Sequence, residues 1–274
     1  MGKRQVMIVL VLVILLSLLT ACQNVPKVEY KVAIDKGTIA FEEKLDTETS
    51  ESATVEKTDM SKVDIMLKTE DGIDIAATYY KPLVEEPKAA ILLHMLNKDR
   101  FTWEPFAQKL QEKGYAVLSI DLRGHGESIN QGKWQEFNDM DFKSMVNDAK
   151  VAKQYLKQTL GTKKYAIIGA SIGANIALNY AAADSDIDAV VLLSPGETYR
   201  GVNVIGAINL YGERPVLLVA SKEDDYAYKS SNKLNSLAQK PTFRKFEDAG
   251  HGTDMLAKIP GLDSLILTWL DENI

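Results

Sequence analysis

From residue 61 to the C-terminus, two hydrophobic patterns alternate along the chain. Short and almost wholly apolar runs such as Ala89–Leu93 are typical of parallel strands that other elements cover on both faces. Between such runs, apolar residues recur at helical spacing, as Trp103, Phe106 and Leu110 do, which indicates amphipathic helices. Repeated strand–helix units of this kind predict an α/β fold, with an open, mostly parallel sheet between layers of helices.

The same patterns give approximate bounds for each element. The predicted strands are 63–68, 73–81, 89–93, 115–120, 164–168, 189–193, 216–220 and 242–246. The predicted helices are 103–110, 142–156 opened by Asp139 or Asp141, 174–183, 226–238 and a terminal helix that carries Leu256, Leu265, Leu267 and Trp269. The first two strands alternate apolar and polar residues on either side of Asp71-Gly72, and they therefore predict an antiparallel hairpin.

The first 60 residues follow neither pattern. Residues 1–21 have a basic start and then an apolar run from Val6 to Leu16, which is the layout of a secretory signal and is too short for a transmembrane helix. Residues 22–60 are rich in Thr, Ser, Glu and Lys, with too few apolar residues to bury a face. We therefore predict a signal peptide over 1–21, a flexible acidic tether over 22–60 and one domain over 61–274. A strand over Val25–Ile34, packed as an edge hairpin, is the alternative for the tether.

The signal sequence ends in Leu19-Thr20-Ala21-Cys22, and Cys22 is the single cysteine of the chain. This ending resembles the lipobox of bacterial lipoproteins, in which the cysteine becomes the lipidated N-terminus. The resemblance implies a palmitate-bearing protein anchored on the extracytoplasmic face of the cell membrane, because more than one acyl chain makes such attachment stable. An ordinary signal peptide with a coincidental cysteine and an uncleaved signal anchor are the alternatives.

Composition and charge exclude several classes of partner. The formal net charge is −6, and no basic cluster follows the signal segment, so nucleic acid is not an expected partner. A single cysteine allows neither an internal disulfide nor a thiolate metal site. The three histidines stand at no ligand-like spacing, so we expect no metal and no cofactor. The sequence leaves the oligomeric state open.

The pentapeptide Gly169-Ala170-Ser171-Ile172-Gly173 lies between a predicted strand and a predicted helix. The pattern G-x-S-x-G needs small residues on both sides of the serine because the backbone turns sharply there. A serine hydroxyl is a weak nucleophile at neutral pH, and it needs a base that is oriented by an acid. Ser171 is therefore a candidate nucleophile, provided that the chain supplies both partners.

The candidate bases are His94, His125 and His251. His251 is favoured because it lies in a polar, glycine-flanked loop after the last predicted strand, where it can reach the serine. His94 ends a buried strand, and His125 lies in a turn before the serine, where we expect a structural role. The candidate acids follow the predicted strand 216–220, and they are Glu223, Asp224 and Asp225.

Four stretches together resemble the α/β-hydrolase family, in particular its small dienelactone-hydrolase-like and esterase-like bacterial members. They are Leu92–Met95, Asp121–Ser128, Gly169–Gly173 and Ala249–Gly252. The order of serine, acid and histidine along the chain is also the order of that family. The resemblance spans residues from about 71 to the C-terminus, and it implies the α/β-hydrolase fold with a minimal lid.

The resemblance also implies which acid is used. In that family the acid typically stands nine residues after the proline that opens its strand, and from Pro215 this count reaches Asp224, with Asp225 in reserve. Dienelactone hydrolases use a cysteine nucleophile, whereas this chain offers Ser171. The implied catalytic set is Ser171, Asp224 and His251, with ester or related acyl chemistry.

An acyl-transfer intermediate needs two backbone N–H donors for its oxyanion. Ile172 is expected to supply one, because it follows the nucleophile at the start of a helix. The resemblance implies Leu96 as the second, since the family has His-Gly-x where this chain has His94-Met95-Leu96. Methionine does not adopt a glycine-only conformation cheaply, so Met95 itself is the alternative donor.

These features predict a membrane-anchored, extracytoplasmic serine hydrolase that acts on a small-molecule ester or acyl substrate, with carboxylesterase as the leading activity. A serine peptidase, a thioesterase, a lipase and a catalytically inert surface binding protein are the alternatives. The short connection from Ser194 to Pro215 predicts an open cleft without a lid domain. Aromatic residues that either line a substrate pocket or simply pack are Trp134, Tyr199, Tyr226 and Tyr228.

Overall fold

The computed structural model describes residues 30–35, 38–43 and 61–274. Cys22, the predicted signal peptide and most of the predicted tether lie outside these residues, so what the sequence predicts for them stays a prediction. The chain divides into two units, residues 1–57 and residues 58–274. In the first unit, strands β1 (Tyr30–Asp35) and β2 (Thr38–Glu43) pair antiparallel. This pair lies within the segment predicted as a tether.

The second unit is built on one sheet of eight strands. The strands described in this unit are β3 (Lys62–Lys68), β4 (Asp74–Tyr80), β5 (Lys88–Leu93), β6 (Tyr115–Ile120), β7 (Tyr165–Ala170), β8 (Ile187–Leu193), β9 (Thr198–Tyr199), β10 (Val202–Asn203), β11 (Val216–Ser221) and β12 (Pro241–Phe246). The spatial order of the large sheet is β12-β11-β8-β7-β5-β6-β4-β3. Strand β4 pairs antiparallel with β3 and β6, and the other neighbouring pairs are parallel. The predicted mostly parallel sheet with an N-terminal antiparallel hairpin is confirmed.

Helices connect most of the parallel strands. Those described are α1 (Glu104–Glu112), α2 (Asp139–Ser144), α3 (Val146–Thr159), α4 (Ile172–Ala183), α5 (Ile205–Tyr211), α6 (Asp225–Leu237), α7 (Asp254–Lys258) and α8 (Leu262–Asn273). Within the described part of the chain, none of the helices has the length and apolar character needed to cross a membrane.

Two of the predicted helices are interrupted in the structure. The predicted helix 142–156 is divided into α2 and α3 at Met145. Its start is capped by the Asn138 side chain, which forms a capping box with Asp141, so neither predicted aspartate is the cap itself. The predicted terminal helix is divided into α7 and α8 by Pro260 and Gly261 because proline lacks the N–H that would continue the first helix.

The hydrophobic core lies on both faces of the sheet, which explains the wholly apolar strand runs. Successive residues of a strand point to opposite faces, so Ile91 of β5 joins one core and Leu92 joins the other. The first core packs under α3 and α4, and the second packs under α1 and α8. Ile91 and Leu92 are both fully buried. The sheet therefore gives a rigid base to the loops at the carboxyl ends of its strands.

The connection between β8 and β11 contains more structure than the sequence predicted. Strands β9 and β10 form a two-stranded antiparallel hairpin, followed by α5. The hairpin turns at Arg200 and Gly201, which have φ values of 48° and 76°, and positive φ at both central residues is typical of the tightest hairpin turns. We call residues 196–204 the flap. No separate lid domain is inserted here, but the flap occupies the space in which an open cleft was predicted.

Candidate active site

Ser171 stands at a sharp turn between β7 and α4. Its φ of 53° and ψ of −119° are rare for a residue with a side chain, and strain of this kind is typical of functional positions. The flanking glycines allow this turn: a Cβ atom on Gly169 would collide with the backbone of Gly173, and one on Gly173 would collide with the backbone of Leu93 and His94. The turn therefore presents the serine at the carboxyl edge of the sheet, as the pattern predicted.

His251 and Asp224 meet at the same edge. The Nδ1–H of His251 donates to Oδ2 of Asp224 at 2.5 Å. Burial alone would raise the pKa of Asp224, but the hydrogen bonds from His251 and from the N–H of Ala227 lower it instead, which keeps the carboxylate ionised at neutral pH. Asp225 points elsewhere and forms an ion pair with Lys229. Of the adjacent aspartates, Asp224 is the one that faces the histidine.

Tyr199 and Gly252 link the surroundings of Ser171 to those of His251. The phenol of Tyr199 lies close to the Ser171 hydroxyl and donates to the Ser194 carbonyl at 3.4 Å. Its ring lies edge-on to the His251 imidazole with centroids 6.3 Å apart. Gly252, next to His251, packs against Ala170, so that a Cβ atom on this glycine would stand 3.4 Å from the alanine Cβ. The structure thus gathers the predicted serine, histidine and acid in one place.

The turn after β5 carries the second predicted oxyanion donor. Nε2 of the fully buried His94 accepts the Leu122 N–H at 3.0 Å, so the ring proton is on Nδ1, which donates to the Met95 carbonyl at 2.8 Å. Burial lowers the pKa of His94 to about 4, so the ring is neutral. In a trans peptide the N–H points away from the preceding carbonyl, and the Leu96 N–H is therefore directed away from His94. The His94 ring thus fixes the orientation of the peptide that carries the Leu96 N–H.

The replacement of glycine by Met95 causes no backbone strain. Met95 is not among the described residues with positive φ, so the conformation is one that any residue adopts. Its side chain is buried, and its Sδ lies where a side chain at Gly252 would stand. The methionine therefore packs against the loop that carries His251. The first predicted donor, Ile172, begins α4, and the N–H of a first helical residue has no acceptor within the helix.

Comparison with known proteins places the chain in a family. A family model described as serine aminopeptidase, S33, matches residues 85–246, which is more than half of the chain and includes Ser171 and Asp224. The chain belongs to this family of α/β hydrolases. It is accordingly a hydrolase by family, with the fold that its sequence predicted.

Individual relatives agree with this assignment. A serine hydrolase-like protein of Dictyostelium discoideum is 34% identical over 106 residues, and these cover 39% of this chain and 27% of that protein. The AB hydrolase superfamily protein YisY of Bacillus subtilis is 28% identical over 132 residues, covering 47% of this chain and 44% of its own. The chain thus spans less than half the length of these two relatives. An esterase of Pyrococcus furiosus has a similar structure, with a TM-score of 0.62 and 19% identity over 77% of this chain and 90% of that one.

Ser194 is a residue of the hydrolase site that the sequence analysis missed. It follows β8, it is fully buried, and it has a φ of 51°. Its hydroxyl accepts the N–H of Gly252 at 3.0 Å, and it also helps to lower the pKa of the nearby Asp224 carboxyl. Ser194 thus holds the loop of His251 beside the acid. The sequence could have indicated Ser194 because it is a polar residue directly after an apolar strand, and sites in such sheets lie at the carboxyl ends of strands.

His125 occupies the structural position that the sequence predicted. It is buried, its Nδ1–H donates to the Arg123 carbonyl at 3.1 Å, and it stacks on Trp134 with ring planes 8° apart. Burial and the nearby His94 lower the pKa of His125 to about 4. A groove of about 690 Å³ runs past these rings beside the turn after β5.

The remaining predicted aromatics have distinct positions. Tyr199 and Tyr226 contact each other at the flap, whereas Tyr228 packs against Phe243 away from the serine. The described residues contain no group of three or more His, Cys, Asp or Glu side chains arranged to hold a metal ion.

Proposed function

We propose that this hydrolase is a serine carboxylesterase that acts through an acyl-enzyme. The observation that carries the proposal is the combination of a strained Ser171 at the strand–helix turn with a His251 imidazole held by Asp224. This is the set of groups that activates a serine hydroxyl. The alternative of an inert binding protein rested on Met95, and the unstrained conformation of that residue removes its main support.

The reaction follows from the positions of these groups. Oγ of Ser171 attacks the ester carbonyl carbon while its proton passes to Nε2 of His251, and Asp224 stabilises the resulting imidazolium. The carbon–oxygen bond to the alcohol then breaks, and His251 returns the proton to the departing oxygen. Water next attacks the acyl-enzyme with help from the same base, which releases the carboxylic acid and restores the serine.

Backbone N–H groups stabilise the negative charge that develops on the carbonyl oxygen. We assign this role to Ile172, at the start of α4, and to Leu96 in the turn after β5. Donors that are already in place cost no reorganisation when the charge appears, and one of them is typically worth about 10²–10³ in kcat. His94 contributes indirectly because it fixes the direction of the peptide between Met95 and Leu96.

A serine aminopeptidase is the second candidate, because the matching family model carries that description. An aminopeptidase has to bind the protonated amino terminus of its substrate, for which a free carboxylate is the natural partner. Carboxylates in the loops around His251 are already engaged. Asp224 holds the histidine itself, Glu223 pairs with Lys258, and Asp254 pairs with Lys98. This engagement favours an ester over a peptide substrate.

A fluorophosphonate probe tests the proposed nucleophile. We expect the full chain to be labelled, Ser171→Ala to lose the label, and Ser236→Ala, which changes an exposed serine on α6, to keep it. Hydrolysis of an acyl ester panel with amide and thioester counterparts then assigns the activity. Correctly folded wild-type protein that takes up no label would show instead that the chain is an inert relative, and faster cleavage of aminoacyl anilides than of esters would establish the aminopeptidase.

We propose in addition that a lipid on Cys22 anchors the hydrolase to the extracytoplasmic face of the cell membrane. The support is the sequence ending in Cys22 and the absence of any other cysteine. Replacement of this residue, Cys22→Ser, should move the protein from the membrane fraction to the soluble fraction without changing its activity. Retention of this variant in the membrane would favour an uncleaved signal anchor.

A further inference from the structure

The flap is fastened to the helix that carries the nucleophile. The buried Asn175 of α4 donates from Nδ2 to the Val202 carbonyl at 2.8 Å and accepts the Gly196 N–H at 3.1 Å. One turn later, Nδ2 of Asn179 donates to the Asn203 carbonyl at 3.0 Å. Hydrogen bonds from a fully buried amide are costly to break. Both ends of the flap are therefore fixed to α4.

A second set of contacts fastens the flap to α6, which follows the catalytic acid. The Tyr226 hydroxyl donates to the Thr198 carbonyl at 2.8 Å and accepts the Thr198 N–H at 3.0 Å. The Glu197 N–H donates to Oγ of Ser230 at 3.0 Å, and the Glu197 carboxylate pairs with Lys233 at 2.6 Å. The flap thus bridges the helices on either side of the site, and it forms a fixed wall.

Tyr199 is the side chain that this wall presents to the catalytic residues. Its ring lies against His251 on one side and Tyr226 on another, with the two tyrosine centroids 5.5 Å apart. Its hydroxyl lies close to that of Ser171 and donates to the Ser194 carbonyl at 3.4 Å. Gly196 leaves room for both tyrosine rings, because a Cβ atom there would stand 2.7 Å from each of them. Ser171 exposes only 7% of its surface, and Tyr199 is one of the side chains beside it. A substrate whose carbonyl reaches Ser171 therefore lies next to Tyr199.

The chemistry of the proposed reaction indicates which part of the substrate meets this tyrosine. His251 has to return its proton to the oxygen of the departing alcohol, so the alcohol lies on the side of Ser171 that faces the imidazole. Tyr199 packs against that imidazole. We propose that Tyr199 limits the size of the leaving group and selects esters of small alcohols. This inference rests on the proposed esterase function and extends it to the substrate class.

The test compares two series of esters in the full-length protein. One series varies the alcohol, with ethyl, hexyl and 1-naphthyl acetate, and the other varies the acyl chain of p-nitrophenyl esters from acetate to octanoate. We expect Tyr199→Ala to raise the ratio of kcat/KM for 1-naphthyl acetate over ethyl acetate at least tenfold relative to wild type. Tyr199→Phe keeps the ring and should change this ratio less than threefold. Comparison between variants cancels the intrinsic reactivity of each ester.

Tyr228→Ala is the matched control, because this tyrosine lies on α6 but packs against Phe243. Tyr226→Phe removes the hydroxyl that holds Thr198 and should give an intermediate relaxation. An unchanged alcohol ratio in a Tyr199→Ala variant that still takes up the fluorophosphonate probe would overturn the proposed size limit while leaving the esterase function intact. A change confined to the acyl series would also overturn it. Wild-type protein that takes up no probe overturns both proposals.

Discussion

At the scale of single residues, two serines of the site have strained backbones. Ser171 and Ser194 have φ values of 53° and 51°, and a residue with a side chain in such a conformation costs about 1–3 kcal/mol. The main-chain hydrogen bonding of the sheet holds each of them: the Ser171 N–H donates to the Leu193 carbonyl and the Ser194 N–H to the Val219 carbonyl, both at 2.8 Å. The sheet thus stabilises the strained turns that place both hydroxyls at the site.

The adjacent aspartates offer a direct test of the proposed acid. Asp224→Asn should lower kcat about 10⁴-fold, because an amide cannot stabilise the imidazolium and favours the wrong histidine tautomer. Asp225→Asn should leave kcat within about twofold, since Asp225 pairs with Lys229 on the exposed side of α6. Steady-state hydrolysis of one ester by the two variants, with folding checked by circular dichroism, gives the comparison. Equal losses in both variants would contradict the assignment of Asp224.

His125 should make stability depend on pH. Burial lowers its pKa from 6.5 to about 4, so between these values the unfolded chain binds a proton that the folded protein does not, and stability falls as the pH falls. Between pH 6.5 and pH 5 this titration should lower the free energy of unfolding by about 2 kcal/mol. Urea unfolding at pH 7 and pH 5 should check this. The fall in the free energy of unfolding between the two pH values should be about 2 kcal/mol smaller in His125→Gln than in wild type. Parallel losses in the two proteins would show that His125 titrates normally.

At the scale of elements, the sequence predicted the segments that their own residues define. Most strands were predicted because they are continuous apolar runs, and the helix after Ser171 because it is rich in small helix-forming residues. The flap was missed because its strands contain two residues each, too few for any periodicity, and because Asn175 and Tyr226 hold it from distant parts of the chain. The break at Met145 was missed for a related reason, since the apolar spacing continues across it.

A buried ion pair anchors the turn that carries His125. The Arg123 guanidinium is buried, and it donates to Asp148 of α3 at 2.7 Å and to Asp71 at 2.6 Å. Asp148→Ala should lower the free energy of unfolding by about 3–5 kcal/mol, because a buried cation loses a partner. Lys150→Ala, on the same helix, removes an exposed pair with Glu70 and should cost less than about 1 kcal/mol. Urea titrations of the two variants check this, and similar values would contradict a structural role for the buried pair.

At the scale of the whole molecule, strand order brings together residues that are far apart in sequence. Strand β7 lies between β5 and β8, so Ser171 has the turn after β5 on one side and Ser194 on the other. Asp224 and His251 follow β11 and β12, the next strands in the same direction. The sequence predicted each of these loops and their order along the chain. It did not predict the lateral order of the strands, which depends on contacts between distant segments, and for this reason the role of Ser194 emerged only from the structure.

The division of the chain predicts that the hydrolase unit is independent of the first 57 residues. A variant beginning at Thr58 keeps all of β3 and Ser61, whose carbonyl accepts the Lys81 N–H and the Gln111 amide. We expect its Tm to stay within about 2 °C of the full-length protein, which for a unit of this size means a change below about 1 kcal/mol, with kcat/KM unchanged. A variant beginning at Met66 loses half of the β3–β4 pairing and exposes the edge of β4, so its Tm should fall by about 5 °C or more. A similar fall in the Thr58 variant would show that residues 1–57 stabilise the domain and would overturn the predicted boundary.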